Sequence, residues 1–145
     1  MSATLYTRDI LRLAVSIPYQ QRLEQPDGSA EVRSRTCGSV VTADVMVSET
    51  GELEDLGLII SACALGQASA AILGAEAIGR QIDDIIQVRS QLEEFFEGSD
   101  TSPGGWKNMD KLAAARDHKG RHAAILLPYD ALIAAFEDAA ERKAA

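Results

Sequence analysis

The chain has 145 residues, 46% of them hydrophobic and 25% charged, enough for one globular domain with a core of its own. Its formal net charge of −8 argues against nucleic acid and anionic membranes as partners, because both need a basic face. No apolar run reaches the length of a membrane span, and Met1 to Asp9 lacks the basic-then-apolar layout of a secretory leader.

Tyr6 to Ile17 predicts a short amphipathic helix, with Ile10, Leu11, Leu13, Ala14 and Ile17 near one face and Pro18 ending it. Gln25-Pro26-Asp27-Gly28 predicts a turn. Ala30 to Thr36 is a weakly patterned candidate strand. Val41, Ala43, Val45 and Val47 alternate with Thr42, Asp44 and Met46, the pattern of a half-buried strand. Glu49-Thr50-Gly51-Glu52 reads as a hairpin loop, and alternation resumes at Leu56, Leu58 and Ile60. Three antiparallel strands with one apolar face need a cover.

Helices supply it. Ala64 to Ile78 is rich in small residues, with Leu65, Ala68, Ile72, Ala75 and Ile78 as its buried stripe and Gly79 as its stop. A second helix opens at Asp83 or Asp84 and buries Ile85, Ile86, Leu92, Phe95 and Phe96. Gly98 to Gly105 forms a polar loop, and Asn108 or Asp110 caps a short helix through Ala115. A final helix runs from about Ala123 to Arg142, with Pro128 near its start. Helix, then strands, then helices is an α+β order: a three-stranded antiparallel sheet packed against helices, in a single domain over 1–145.

The chemistry centres on Cys37 and Cys63. Cys37 lies in Thr36-Cys37-Gly38-Ser39, just before the alternating run, and Cys63 opens the small-residue helix. A thiol at a helix N-terminus is drawn toward thiolate, the form that binds metals and accepts sulfur. The plain alternative is a pair of buried structural cysteines. A cytoplasmic setting with reduced thiols is expected for a chain of this kind. His118 and His122 have the i,i+4 spacing of a helical metal pair, but Gly120 lies between them, and a solvated connector with Asp117 is the simpler reading for His118. Ser39 lacks the frame of a hydrolase nucleophile. Arg121 stands where it could meet a carboxylate or a sulfur anion, and there is no phosphate-binding glycine loop.

At these residues the chain resembles the iron–sulfur cluster assembly scaffold family: IscU, SufU and the NifU N-terminal domain. Thr36-Cys37-Gly38-Ser39 looks like the first ligand loop, where Cys-Gly-Asp is usual. Cys63-Ala64-Leu65-Gly66-Gln67-Ala68-Ser69-Ala70 looks like the second. Arg121 to Leu132 looks like the third segment, in which a cysteine follows the arginine by three residues. Here that cysteine falls on Ala124, and the aspartate falls on Ser39. The histidine that precedes the third cysteine in IscU-type members falls on Ala123, with His122 one residue earlier.

The resemblance implies a scaffold that binds iron, zinc or a nascent iron–sulfur cluster, or accepts sulfur, through Cys37 and Cys63. His122 and Ser39 are the replacement ligands it leaves available. It implies a cysteine desulfurase and other assembly proteins as partners, and no catalysis by the chain itself. The missing cysteine and aspartate also fit a second reading, a metal-free adaptor that keeps only its protein contacts. A third is a thiol enzyme with Cys63 as nucleophile and His118 or His122 as base.

Overall fold

The computed structural model describes residues 5–99 and 102–145. Part of the Met1 to Asp9 reading and the centre of the Gly98 to Gly105 loop lie outside the described residues. In chain order the elements are α1 (Arg8–Ala14), β1 (Gly28–Arg33), β2 (Val40–Val47), β3 (Leu53–Ser61), α2 (Ala64–Ala77), α3 (Ile82–Phe96), 3₁₀ segments at Met109–Ala115 and Lys119–Arg121, and α4 (His122–Ala144). The strands form one antiparallel sheet in the order β1-β2-β3.

Alternation along β2 turns Val41, Ala43 and Val45 to one face, where all three are fully buried. Helix α4 packs over β1 and β2, and α2 lies beside β3 and α4. Two glycines set how closely these layers meet. A Cβ on Gly28 would stand 2.2 Å from the Ala135 carbonyl oxygen of α4, so the helix backbone rests directly on β1. The Asp138 carboxylate of α4 then accepts the outward Ser29 N–H at 2.9 Å, closing part of the β1 edge. Gly28 therefore begins a strand instead of ending a turn.

The opposite face of the sheet is open to solvent at Glu31, Asp55 and Ile59 but covered around Asp44 and Gly57. A strap through Tyr19 and Leu23 crosses it. The Tyr19 carbonyl accepts the Leu58 N–H at 2.8 Å, and a Cβ on Gly57 would lie 2.3 Å from the Gln21 carbonyl oxygen. Beneath the strap Asp44 is fully buried. Its carboxylate accepts from Arg22 at 2.7 and 3.1 Å, from the Leu23 N–H at 3.0 Å and from the Ser29 hydroxyl at 2.6 Å. Burial alone would raise this carboxyl, but the hydrogen bonds outweigh it and hold it below its ordinary value.

The helices differ from expectation in instructive places. Helix α1 is shorter than Tyr6 to Ile17, and its buried residues are Ile10 and Ala14, with Leu11 half exposed. Helix α2 is buried around most of its circumference between α1, α4 and the sheet. A single stripe therefore describes it poorly: Ala75 is exposed, and Ile78 is extended backbone beyond the helix. Gln81, not an aspartate, caps α3, and Asp84 completes the capping box. Ile86 faces outward. Residues 109–115 wind as a 3₁₀ segment with Asn108 left-handed at its start (φ 71°) and no side-chain cap. Pro128 sits inside α4. There it deprives the Ala124 carbonyl of its helical donor and pushes it aside.

Candidate functional site

The strand register brings both cysteines to one end of the sheet. Val40, which opens β2, pairs with Arg33 on one side and with Ser61, the end of β3, on the other. Cys37 lies in the loop joining β1 to β2, and Cys63 is the N-cap of α2 immediately after β3. Both are free thiols; Cys37 is exposed and Cys63 half-buried.

The Cys37 loop is tightly built. The Ser34 N–H donates to the Ser39 carbonyl at 2.8 Å, and the Gly38 N–H donates to the Ser34 carbonyl at 3.2 Å. Gly38 supplies the left-handed turn (φ 73°) that lifts Cys37 outward. Ser34 and Ser39 are buried beneath it. The Ser39 hydroxyl lies 3.0 Å from the Cys37 sulfur. Hydrogen bonding from Ser34 and Ser39, aided by the charge of Arg121, pulls the Cys37 thiol below its ordinary value against a smaller opposing effect of burial. Ser39 thus acts on the thiol and holds the loop. The sequence reading missed Ser34, although a serine on each side of Cys37 was visible.

At Cys63 the N-cap side chain makes no capping hydrogen bond, so the sulfur is not consumed by the helix end. One turn on, a Cβ at Gly66 would stand 2.8 Å from the Ala62 Cβ and 3.2 Å from the Ala124 carbonyl oxygen. The first turn of α2 therefore touches the first turn of α4 at Ala124, which is almost fully buried. Slightly deeper, the Ser69 hydroxyl donates to the Ile125 carbonyl at 2.6 Å. Gly66 was a second missed residue. Its signal was a glycine early in an otherwise well-formed helix, where it costs about 1 kcal/mol relative to alanine unless something approaches closely.

His122 opens α4 as expected, but its ring is engaged elsewhere. Its Nε2 donates to the Ala115 carbonyl at 2.8 Å, and the ring stacks on Phe96 with centroids 4.0 Å apart. His118 precedes the short 3₁₀ segment Lys119–Arg121, so no helix carries the two histidines on one face. Among the described residues no group of three or more His, Cys, Asp or Glu side chains stands close enough to hold a metal ion. The structure thus puts both cysteines at one end of the sheet, sets Ser34, Ser39 and Arg121 about Cys37, and leaves His122 tied to the connector.

Fold and site together define a small α+β protein with two free thiols at one end of its sheet. No family model matches the chain. It is 31% identical to the N-terminal NifU-like protein of Brucella abortus, whose crystal structure it matches with a TM-score of 0.88 over 94% of this chain and 95% of that one. It is 23% identical over 128 residues to the iron–sulfur cluster assembly scaffold protein IscU of Thermotoga maritima, covering 88% of this chain and 89% of that protein. A candidate SUF-system scaffold from Fervidobacterium islandicum shares the fold, with a TM-score of 0.82 at 18% identity over 91% of this chain and 96% of that one. The chain belongs to the IscU/SufU/NifU-like scaffold family.

Proposed function

We propose that this protein is an iron–sulfur cluster assembly scaffold that carries iron, a nascent cluster or transferred sulfur as cargo on Cys37 and Cys63. The observation that supports it best is the register that sets the Cys37 loop and the N-cap of α2 at one end of the sheet. Two thiolates are too few to close a four-coordinate site, so the remaining ligands come from solvent, a partner or a second copy. Cargo held this way is easily passed on. As a sulfur acceptor, the Cys37 thiolate attacks the outer sulfur of a donor persulfide. A new S–S bond forms at Cys37, the donor's S–S bond breaks, and the donor leaves as thiolate. The chain itself then performs no catalysis; a cysteine desulfurase partner does. We place this role in the cytoplasm, in one domain over 1–145; among the described residues no helix is long and apolar enough to cross a membrane.

The test is anaerobic reconstitution with iron and sulfide. Cys37→Ser and Cys63→Ser each lose iron and acid-labile sulfide while keeping the wild-type circular dichroism spectrum, since neither side chain is fully buried. Undiminished iron in both variants rejects this function. No iron in the wild type under any condition would instead favour the metal-free adaptor, for which Ala124 at the third ligand position is the specific observation.

A further inference from the structure

Beside the Cys37 loop lies a groove of about 270 Å³. Arg33 and Arg35 line it from the end of β1 and the loop, Arg89 lines it from α3, and Ala123, Leu126 and Leu127 of α4 supply an apolar wall. Asp130 is the one carboxylate lining it; Arg89 pairs with Asp130 at 2.5 Å and also with Glu93 at 3.3 Å, so the uncompensated positive charge at the groove is that of Arg33 and Arg35. Arg33 meets Glu31 only at 3.5 Å, with both side chains mostly exposed, a contact worth little. Arg35 is exposed and makes no ion pair among the described residues. Arg121, also exposed, stands on the Cys37 side, two positions before Ala123. In a chain of net charge −8 this is a local reversal of sign at the candidate site. The groove is smaller than the roughly 300–1,000 Å³ typical of small-molecule pockets, and its size suits one or two side chains of another protein.

We propose that this groove seats an acidic segment of the sulfur-donating partner. Carboxylates of that segment meet Arg35 and Arg33, an apolar side chain rests on Ala123, Leu126 and Leu127, and the donor's reactive sulfur is thereby steered to Cys37. The inference rests on the scaffold function proposed above. Charge of this kind mainly raises the encounter rate and fixes register, so its signature is salt dependence together with loss on charge reversal.

The experiment measures the affinity of the full chain for a purified cysteine desulfurase at low and at physiological salt. Arg35→Glu and the milder Arg35→Gln are compared with Lys143→Glu. Lys143 lies thirteen residues beyond Asp130, the last α4 residue lining the groove, so this control alters net charge about 20 Å along the helix from it. Arg35→Glu is expected to weaken binding about tenfold and Arg35→Gln less, with Lys143→Glu near wild type and wild-type affinity falling as salt rises. Equal effects of Arg35→Glu and Lys143→Glu, binding insensitive to salt, or no binding at all would overturn the proposal. Iron and sulfide uptake by the same free proteins separates the two claims. Arg35→Glu that binds normally while wild type takes up iron refutes the docking seat alone. Binding that follows Arg35 while the cysteine variants keep their iron refutes the cargo site alone.

Discussion

At the scale of single residues, the Cys37 thiol and the Asp44 carboxylate show how hydrogen bonds set charge. The depressed Cys37 thiol rests on Ser34 and Ser39, so Ser39→Ala slows alkylation of Cys37 by iodoacetamide at pH 7 several-fold and moves the midpoint of the rate profile upward. An unchanged profile would show that the serines only hold the loop. Asp44 has its folded value below its unfolded one, so its contribution to stability is present above about pH 4 and is lost as pH falls through the folded value. Asp44→Asn therefore unfolds more easily at neutral pH, and the gap to wild type narrows in acid. Arg22→Ala leaves a buried carboxylate with only its Ser29 and Leu23 donors and costs about 1–3 kcal/mol in urea unfolding at pH 7. Curves that run parallel down to pH 2 would contradict this account.

At the scale of elements, the glycines carry the packing. Gly66→Ala places a methyl group against Ala62 and the Ala124 carbonyl, and the first turns of α2 and α4 must part. The expected cost is about 1–3 kcal/mol in chemical denaturation, with weaker iron uptake because Cys63 is displaced. A stabilised Gly66→Ala would mean that the two turns are already apart. Val41, Ala43 and Val45 were legible as one face of β2 because period-2 alternation follows from the pleat. The strap over the other face was not legible, because it depends on a distant segment reaching Gly57 and Asp44 and leaves no local period. Cys63 as an N-cap and Cys37 beside a turn glycine were readable for the same local reason. That Ser34 lies under Cys37, and that His122 turns to Ala115 and Phe96, depends on how the loop and the connector fold back in space. Helical spacing of His118 and His122 misleads here because the backbone between them is 3₁₀.

At the scale of the whole molecule, an acidic chain presents its thiols beside its basic groove, at one end of a sheet stiffened by helices on one face and a strap on the other. Under the proposed function, that arrangement separates the stable part of the fold from the part that would meet cargo. The central claim is that Cys37 and Cys63 hold one ion together. Anaerobic titration with cobalt(II), a spectroscopic stand-in for iron or zinc, tests it most directly through the thiolate-to-metal charge-transfer band. A saturable band is expected in the wild-type protein and falls by more than half in both Cys37→Ser and Cys63→Ser, because each thiolate alone binds weakly. A band that survives at full strength in either variant, or none in the wild type, would contradict it.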